Sequence, residues 1–258
     1  MTIGYPIREV SPGVKVDHAH EKQLAMMEPL LIGTSGWTHD GWTGTFYPSN
    51  LPQEWRFCYY SNKLRSVLVP HDILAAAPVS EIKQWLQDSD QEFRFVLEAP
   101  SQMMLPMPFS ALQRELDKFR QSLSLVREQT AGALLRMPGV ANVDLDWLEK
   151  LLRALTADLP VSVDLSAVPS GQRAEAIAIL DSVGAGLCWQ ARTESAPRPA
   201  GRFVVGLANG GAARELRHLV ERMAVCGQQG IVSGLFFDGV SAATAAQEAR
   251  IIAELLGV

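Results

Sequence analysis

From residue 30 onward, short apolar runs alternate with longer stretches in which apolar residues recur every three or four positions. Short apolar runs are typical of buried strands, and the wider spacing is typical of helices with one face against a sheet. The alternation therefore predicts a parallel sheet whose strands are joined by crossover helices. Eight strands are predicted, at 30–34, 66–69, 93–99, 132–136, 160–165, 185–189, 203–207 and 231–237.

Two helices are clearest between these strands. A long one is predicted because its apolar residues share one face, namely Phe109, Leu112, Leu116, Phe119, Leu123 and Val126. The next repeats that spacing at Leu145, Leu148, Leu152 and Leu155, and Asp144 is placed to cap its first turn. Gly184 and Gly227 follow helical patterns, as C-terminal stops do.

One crossover helix is missing from the pattern. Residues 193–201, between strands six and seven, contain Pro197 and Pro199 and are too short and too broken for a full helix. We therefore expect an α/β protein with a TIM-like (β/α)8 barrel in which this helix is absent. A doubly wound sheet is the alternative.

Composition supports one barrel domain at 30–258, preceded by an N-terminal arm at 1–29. A chain of 258 residues that is 47% hydrophobic can bury a large core. The net charge is −5, and clustered Lys and Arg that would bind nucleic acid are lacking. We therefore expect no nucleic-acid partner. No apolar run approaches the roughly 20 residues that span a bilayer, so we expect no membrane partner either.

The arm and the cysteines indicate location but add no chemistry. Residues 1–29 have scattered acids and no apolar core of signal-peptide type. His18 and His20 precede the first strand, away from the strand ends where barrel metal ligands converge, so we predict neither a metal nor a cofactor. The odd number of cysteines, three, within apolar patterns indicates buried thiols in a cytoplasmic protein.

The stretch 33–48, which we call the opening loop, follows the first strand. Its four glycines allow sharp turns, and its aromatic residues include Trp37, Trp42 and Tyr47. Such a loop can form the wall of a ligand pocket or a hydrophobic plug over one end of the barrel. The sequence leaves both open.

The same loop resembles the opening signature of the YecE-like family, domain of unknown function number 72. The shared residues run from Gly33 to Trp37 and then include Trp42, Gly44, Phe46, Tyr47, Pro48, Leu51, Pro52, Tyr59 and Tyr60. Weaker similarity extends to the strands at 93–100, 132–138 and 236–238. The resemblance implies a TIM-like barrel over about residues 30–257, and it implies no reaction because the family's activity is not established.

The chain also departs from the family's pattern. Val67, Leu68, Val69 and Pro70 stand where the family carries a Val-Glu-Ile-Asn run, so two polar groups are lost. Glu98 stands where the family has a lysine, and Arg136 stands where it has a glutamine. The family's acid is kept as Asp164, but the arginine that follows it in the family is lost. Asp238 and Gly239 replace a pair of asparagines. These changes argue against retention of an activity common to the family.

In a barrel, function lies at the C-terminal ends of the strands, where the strand-to-helix loops converge. The chain places polar or aromatic residues there after every strand. The predicted catalytic residues are Asp164, Glu98 and Asp238. The predicted ligand-binding residues are Trp37, Trp42, Tyr47, His71, Arg136, Gln190, Arg192, Asn209, Gly210, Gly211 and Ser241.

Structural roles compete with each assignment. Glu98 and Arg136 can pair across adjacent strands, which neutralises both charges. Asp164 and Asp238 can cap the segments that follow them, and His71 suits a surface role. No nucleophile elbow or zinc-type cluster accompanies these residues, so the reaction class does not follow from them.

Asn209, Gly210 and Gly211 form a Gly-Gly turn between a strand and a helix. Backbone amides in such a turn, with the partial positive charge of a helix N-terminus, favour an anion. A turn that only connects two elements is the alternative. We thus predict an enzyme acting on a small phosphorylated or sugar-like substrate, with a catalytically degenerate ligand-binding or partner-binding module as the alternative.

Overall fold

The structure, a computed structural model, describes residues 30–258. Its strands pair in parallel throughout, in a sheet that follows chain order around the molecule. They are β1 (Leu30–Ser35), β2 (Ser66–Val69), β3 (Arg94–Glu98), β4 (Thr130–Arg136), β5 (Val161–Asp164), β6 (Gly186–Leu187), β7 (Trp189–Gln190), β8 (Phe203–Asn209) and β9 (Val232–Asp238).

Helices cover the outside of this sheet. They are α1 (Arg56–Ser61), α2 (His71–Ala76), α3 (Val79–Asp88), α4 (Phe109–Val126), α5 (Leu145–Thr156), α6 (Ser170–Val183), α7 (Ala213–Gln228) and α8 (Ala242–Leu256). Asp144 caps α5 as predicted, since its carboxylate accepts a hydrogen bond from Trp147 N at 2.9 Å. Gly184 ends α6 in the left-handed conformation, also as predicted.

The predicted sixth strand is divided at Cys188. Its first half, β6, pairs with β5, and its second half, β7, pairs with β8. Cys188 N still donates to Val163 O at 2.9 Å, so the division falls after this residue. One strand therefore joins both edges of the sheet, and the barrel is nearly closed.

The TIM-like barrel expected from the sequence is confirmed. Sequential strand order distinguishes it from a doubly wound sheet, in which the order reverses. Residues 191–202, between β7 and β8, contain no helix, which confirms the missing crossover. Two helices, α2 and α3, occupy the connection between β2 and β3.

Hydrophobic residues fill two layers. Inside the barrel lies a small cluster of Leu31, Leu68, Val96, Ala131, Leu134, Cys188, Phe203, Val205 and Phe236. The larger cluster lies between the sheet and the helices. Since side chains alternate along a strand, residues two positions beyond the inner cluster also face the barrel axis.

Two details of the helices differ from the sequence predictions. Phe109, predicted to lie on the packed face of α4, is the first residue of that helix and is 73% exposed. Gly227, predicted to end a helix, lies inside α7, and the left-handed turn comes at Gly230 instead.

Candidate functional site

Three charged side chains end adjacent strands. Glu98, Arg136 and Asp164 are the last residues of β3, β4 and β5. Each lies two positions beyond a residue that faces the barrel interior, namely Val96, Leu134 and Ser162. Ser162 faces inward because its Oγ accepts a hydrogen bond from Val205 N across the barrel, at 3.1 Å. Because neighbouring parallel strands end at one edge, all three side chains meet at the C-terminal face.

Arg136 lies between the two carboxylates. Its Nε is 2.8 Å from Glu98 Oε1, and its Nη1 is 3.9 Å from Asp164 Oδ2. The pairing of Glu98 with Arg136, one of the two readings of the sequence, is thus present. The side chain of Arg136 is 35% exposed and that of Asp164 only 7%, so the guanidinium is the more accessible group.

Asp164 is held by several donors. Its Oδ1 accepts from Ser166 N at 2.9 Å, and its Oδ2 accepts from Gln190 Nε2 at 2.8 Å. The sequence shows no cationic partner for Asp164, whereas the structure supplies Arg136 from the neighbouring strand. We call Glu98, Arg136, Asp164 and Gln190 the strand-end centre.

An ion pair missed by the sequence analysis supports this centre. Glu194, in the connection without a helix, pairs with Arg173 of α6. Its Oε2 accepts from Gln190 N at 3.1 Å, and Arg173 Nη1 donates to Leu165 O at 3.4 Å. The sequence signal is a single acid in an irregular segment, which does not identify its partner.

Cys188 lies in the barrel interior close to the strand-end centre. Burial raises the pKa of its thiol well above the ordinary value, and the negative charge of Asp164 raises it further, against an opposing effect of Arg136. The neutral thiol is therefore favoured, which makes Cys188 a core residue and not an activated nucleophile.

The remaining predicted carboxylate stands apart from these contacts. Asp238 ends β9 at the same face, is exposed, and accepts a hydrogen bond from Gly239 N at 2.8 Å. Its neighbour in the sheet is Asn209, at the end of β8 and also exposed. Asp238 thus caps its own loop, the structural role that the sequence analysis left open.

The Gly-Gly turn before α7 already faces a carboxylate. Glu215 Oε2 accepts from Ala212 N at 3.0 Å and lies beside Gly211. Gly210 lies against Ser241, whose Oγ would be 2.3 Å from a β-carbon at that glycine. The negative charge of Glu215 opposes an anion in the first turn of α7, where the sequence analysis placed one.

Two further predicted residues lie outside the strand-end centre. Arg192, after β7, is exposed and lines a groove beside α7. His71 begins α2 and lies near Glu115 of α4, whose pKa is lowered mainly by the Lys118 hydrogen bond, with a smaller contribution from His71.

The aromatic residues of the opening loop are buried in the layer between sheet and helices. Trp37 packs edge-on against Phe57 and Trp85, with ring centroids 4.9 Å apart in both pairs. Trp42 is 1% exposed, and its Nε1 donates to Gly239 O at 3.1 Å, which ties the loops after β1 and β9 together. The loop thus packs beside the strands and does not plug the barrel end.

Tyr47 completes this packing. It is 1% exposed, and its hydroxyl donates to Trp37 O at 2.6 Å. Burial is the largest cause of its raised pKa, so the phenol stays protonated. Trp37, Trp42 and Tyr47 therefore present almost no surface to a ligand in this conformation.

Within residues 30–258 no group of three or more His, Cys, Asp or Glu side chains is placed to hold a metal ion. His18 and His20 lie outside the described residues. No helix among residues 30–258 is long and apolar enough to cross a membrane.

Known proteins share this architecture. A family model described as "Protein of unknown function DUF72" matches residues 31–258. The DUF72 family protein TM1631 of Thermotoga maritima is 17% identical, with a TM-score of 0.68 over 89% of this chain and 99% of that one. The DUF72 family protein EF0366 of Enterococcus faecalis is 16% identical, with a TM-score of 0.66 over 89% and 96%.

A structure outside that family has the same fold at lower similarity. An L-ribulose 3-epimerase is 12% identical, with a TM-score of 0.52 over 88% of this chain and 94% of that one. At this identity the likeness concerns the fold alone. Comparison with curated proteins gives no match.

Proposed function

Since this chain belongs to the DUF72 family, whose description names no reaction, we propose a function from the strand-end centre itself. The protein is an enzyme that binds a small, hydroxyl-rich, sugar-like substrate at the C-terminal face of the barrel. The observation that carries this proposal is the position of Arg136 between Glu98 and Asp164, with Gln190 bonded to Asp164.

Hydrogen-bond chemistry supports a hydroxyl-rich substrate at this centre. Two carboxylates accept hydrogen bonds, while a guanidinium and an amide donate them. A hydroxyl group both donates and accepts, so a compound with several hydroxyls can satisfy neighbouring groups of both kinds. A phosphate directly at the centre would instead face two negative charges with one positive charge between them.

The contacts favour Glu98 over Asp164 as the acid or base. Both oxygens of Asp164 accept hydrogen bonds from within the protein, from Ser166 N and Gln190 Nε2. Within residues 30–258, the Glu98 carboxylate contacts a single partner, Arg136, through Oε1. Its other oxygen can exchange a proton with a substrate hydroxyl, so we assign proton transfer to Glu98 and substrate orientation to Asp164.

The test uses a panel of free and phosphorylated sugars and polyols, screened first by thermal stabilisation and then by NMR for conversion. Glu98→Gln should keep ligand binding within a few-fold and lower turnover by at least about 100-fold, the scale of general acid-base catalysis. The matched control is Glu149→Gln, an acid paired with Arg153 on the outer face of α5, which should leave both unchanged.

A binding module without catalysis is the second candidate. The hydrogen bonds that both oxygens of Asp164 accept from within the protein favour it, because they fix this carboxylate in place. Binding of a panel compound with no conversion by the unmodified protein would support this alternative. Equal turnover by Glu98→Gln and the unmodified protein would contradict the role of Glu98.

A further inference from the structure

A groove of about 460 Å³ lies between the ends of β7 and β8 and helix α7. Its floor contains small residues, Ala191 and Ala208, which leave space beside the strand ends. Three basic side chains line it, Arg192 from the connection after β7 and His218 and Arg222 from α7. We call this the basic groove.

The basic side chains of the groove are not held in ion pairs. Within residues 30–258, no ion pair or side-chain hydrogen bond involves Arg192, His218 or Arg222. Arg217, on another face of α7, does have a partner, Glu221, at 2.7 Å. Helix α7 therefore pairs Arg217 on one side and leaves His218 and Arg222 available on the side that faces the groove.

Helical spacing explains why these side chains converge. Glu215, His218, Leu219 and Arg222 stand at positions i, i+3, i+4 and i+7, so they lie on one face of α7. Glu215, the acid of this set, sits at the first turn, where it accepts from Ala212 N. An anion would therefore bind farther along the helix, towards His218 and Arg222, with Arg192 opposite.

The basic groove adjoins the strand-end centre. Gln190 bonds to Asp164 in that centre, while Ala191 and Arg192, the next two residues, line the groove. Two residues of chain span at most about 7 Å, so the two places are close together. Gln190 faces the barrel axis and Ala191 faces the helix layer, so a molecule bound in the groove would reach the strand-end centre over the end of β7. One end of such a molecule would meet guanidinium groups and the other a mixture of carboxylates, guanidinium and amide.

We propose that the basic groove binds the phosphate group of a small phosphorylated compound. Planar guanidinium groups suit phosphate because they form two parallel charge-assisted hydrogen bonds to its oxygens. That the rest of the compound reaches the strand-end centre rests on the proposed function, whereas phosphate binding in the groove does not. The substrate would then be a sugar-like phosphate, anchored at Arg192 and Arg222 and oriented at Glu98 and Asp164.

Inorganic phosphate is the first probe, titrated calorimetrically at constant ionic strength against chloride so that screening is held fixed. Arg192→Gln and Arg222→Gln should each weaken phosphate binding by about tenfold, since each removes a charge-assisted contact. Arg217→Gln is the matched control, a loss of the same charge on the same helix, and should leave the affinity unchanged.

Glu215→Gln gives a test in the opposite direction. The amide oxygen can still accept from Ala212 N, but the negative charge at the edge of the groove is gone. Phosphate should bind a few-fold more tightly to this variant. Absence of saturable phosphate binding, or equal losses in Arg217→Gln and Arg222→Gln, would overturn the proposal.

A second arm identifies the source of the phosphate. D-ribose 5-phosphate should bind more tightly than inorganic phosphate, and both should lose affinity in Arg222→Gln. If the two bind equally, the groove serves free phosphate and the claim of a phosphorylated compound fails. Glu98→Gln separates the two proposals, because it should leave inorganic phosphate binding intact even if no substrate is ever turned over.

Discussion

At the scale of single residues, the sequence located the strand-end charges but only some of their partners. Glu98 and Arg136 end adjacent predicted strands, so their contact could be foreseen as one of two readings. The partners of Asp164 could not, because they depend on strand register and on Gln190, which is 26 residues away. The position of a residue in a predicted strand shows at which edge of the sheet it lies, but it does not show which groups it hydrogen-bonds.

The packing partners of the tryptophans in the opening loop could not be predicted from the sequence either. A glycine-rich aromatic loop has the same sequence pattern whether its rings line a pocket or pack under helices. The deciding contacts come from Trp85 on α3 and Phe57 on α1, which the loop sequence does not encode. The burial of Trp37 therefore became evident only from the structure.

Trp37→Ala should lower the free energy of unfolding by about 3 to 5 kcal/mol, the cost of truncating a buried aromatic residue. Trp37 is 5% exposed, whereas Trp55, nearby in the chain, is 60% exposed. Trp55→Ala is therefore the control and should change stability by no more than about 0.5 kcal/mol. Urea denaturation measures both, and similar losses in the two variants would argue against the packing role of Trp37.

At the scale of elements, periodicity predicted all the strand positions and the missing helix between strands six and seven. It did not predict that the sixth strand divides at Cys188, because that depends on which neighbour each half pairs with. The small helices α2 and α3 were not resolved in the pattern either. Both features depend on contacts between distant segments.

The Arg173–Glu194 pair bridges the division of the sixth strand. Cys188 N bonds to Val163 O, and the next rung of a parallel ladder would join Gln190 N to Leu165 O. Instead, Gln190 N donates to Glu194, and Arg173 donates to Leu165 O. The ion pair thus replaces one backbone hydrogen bond with two side-chain hydrogen bonds and fixes Gln190 beside Asp164.

Glu194→Ala should speed hydrogen exchange at the Gln190 amide and lower stability by about 1 to 3 kcal/mol, because a partly buried donor loses its acceptor. Glu149→Ala breaks an exposed pair with Arg153 on α5 and should cost no more than about 0.5 kcal/mol. Exchange at Gln190 is read by NMR. An unchanged rate in Glu194→Ala would show that Glu194 does not protect the Gln190 amide.

At the scale of the whole molecule, the order of strands was predictable and the closeness of their approach was not. Gly132 faces the ring of Phe203 inside the barrel, where a β-carbon would lie 2.6 Å from the ring. Gly186 faces the backbone of β8, where a β-carbon would lie 1.9 Å from Phe203 O. Closure of the barrel therefore depends on residues without side chains where β4 and β6 approach β8.

Gly186→Ala tests this dependence on close approach. Its methyl group cannot be accommodated by side-chain movement, because the obstructing atom belongs to the backbone, so β6 must move away from β8. We expect a loss of about 3 kcal/mol or more in the free energy of unfolding, at the upper end for overpacked cores. The control is Gly171→Ala in the first turn of α6, where a β-carbon meets nothing within 4 Å. Alanine favours the helix there, so that variant should be as stable as the unmodified protein or up to about 1 kcal/mol more stable. Urea denaturation gives both values, and equal midpoints for the two variants would show that closure tolerates a wider separation of β6 and β8.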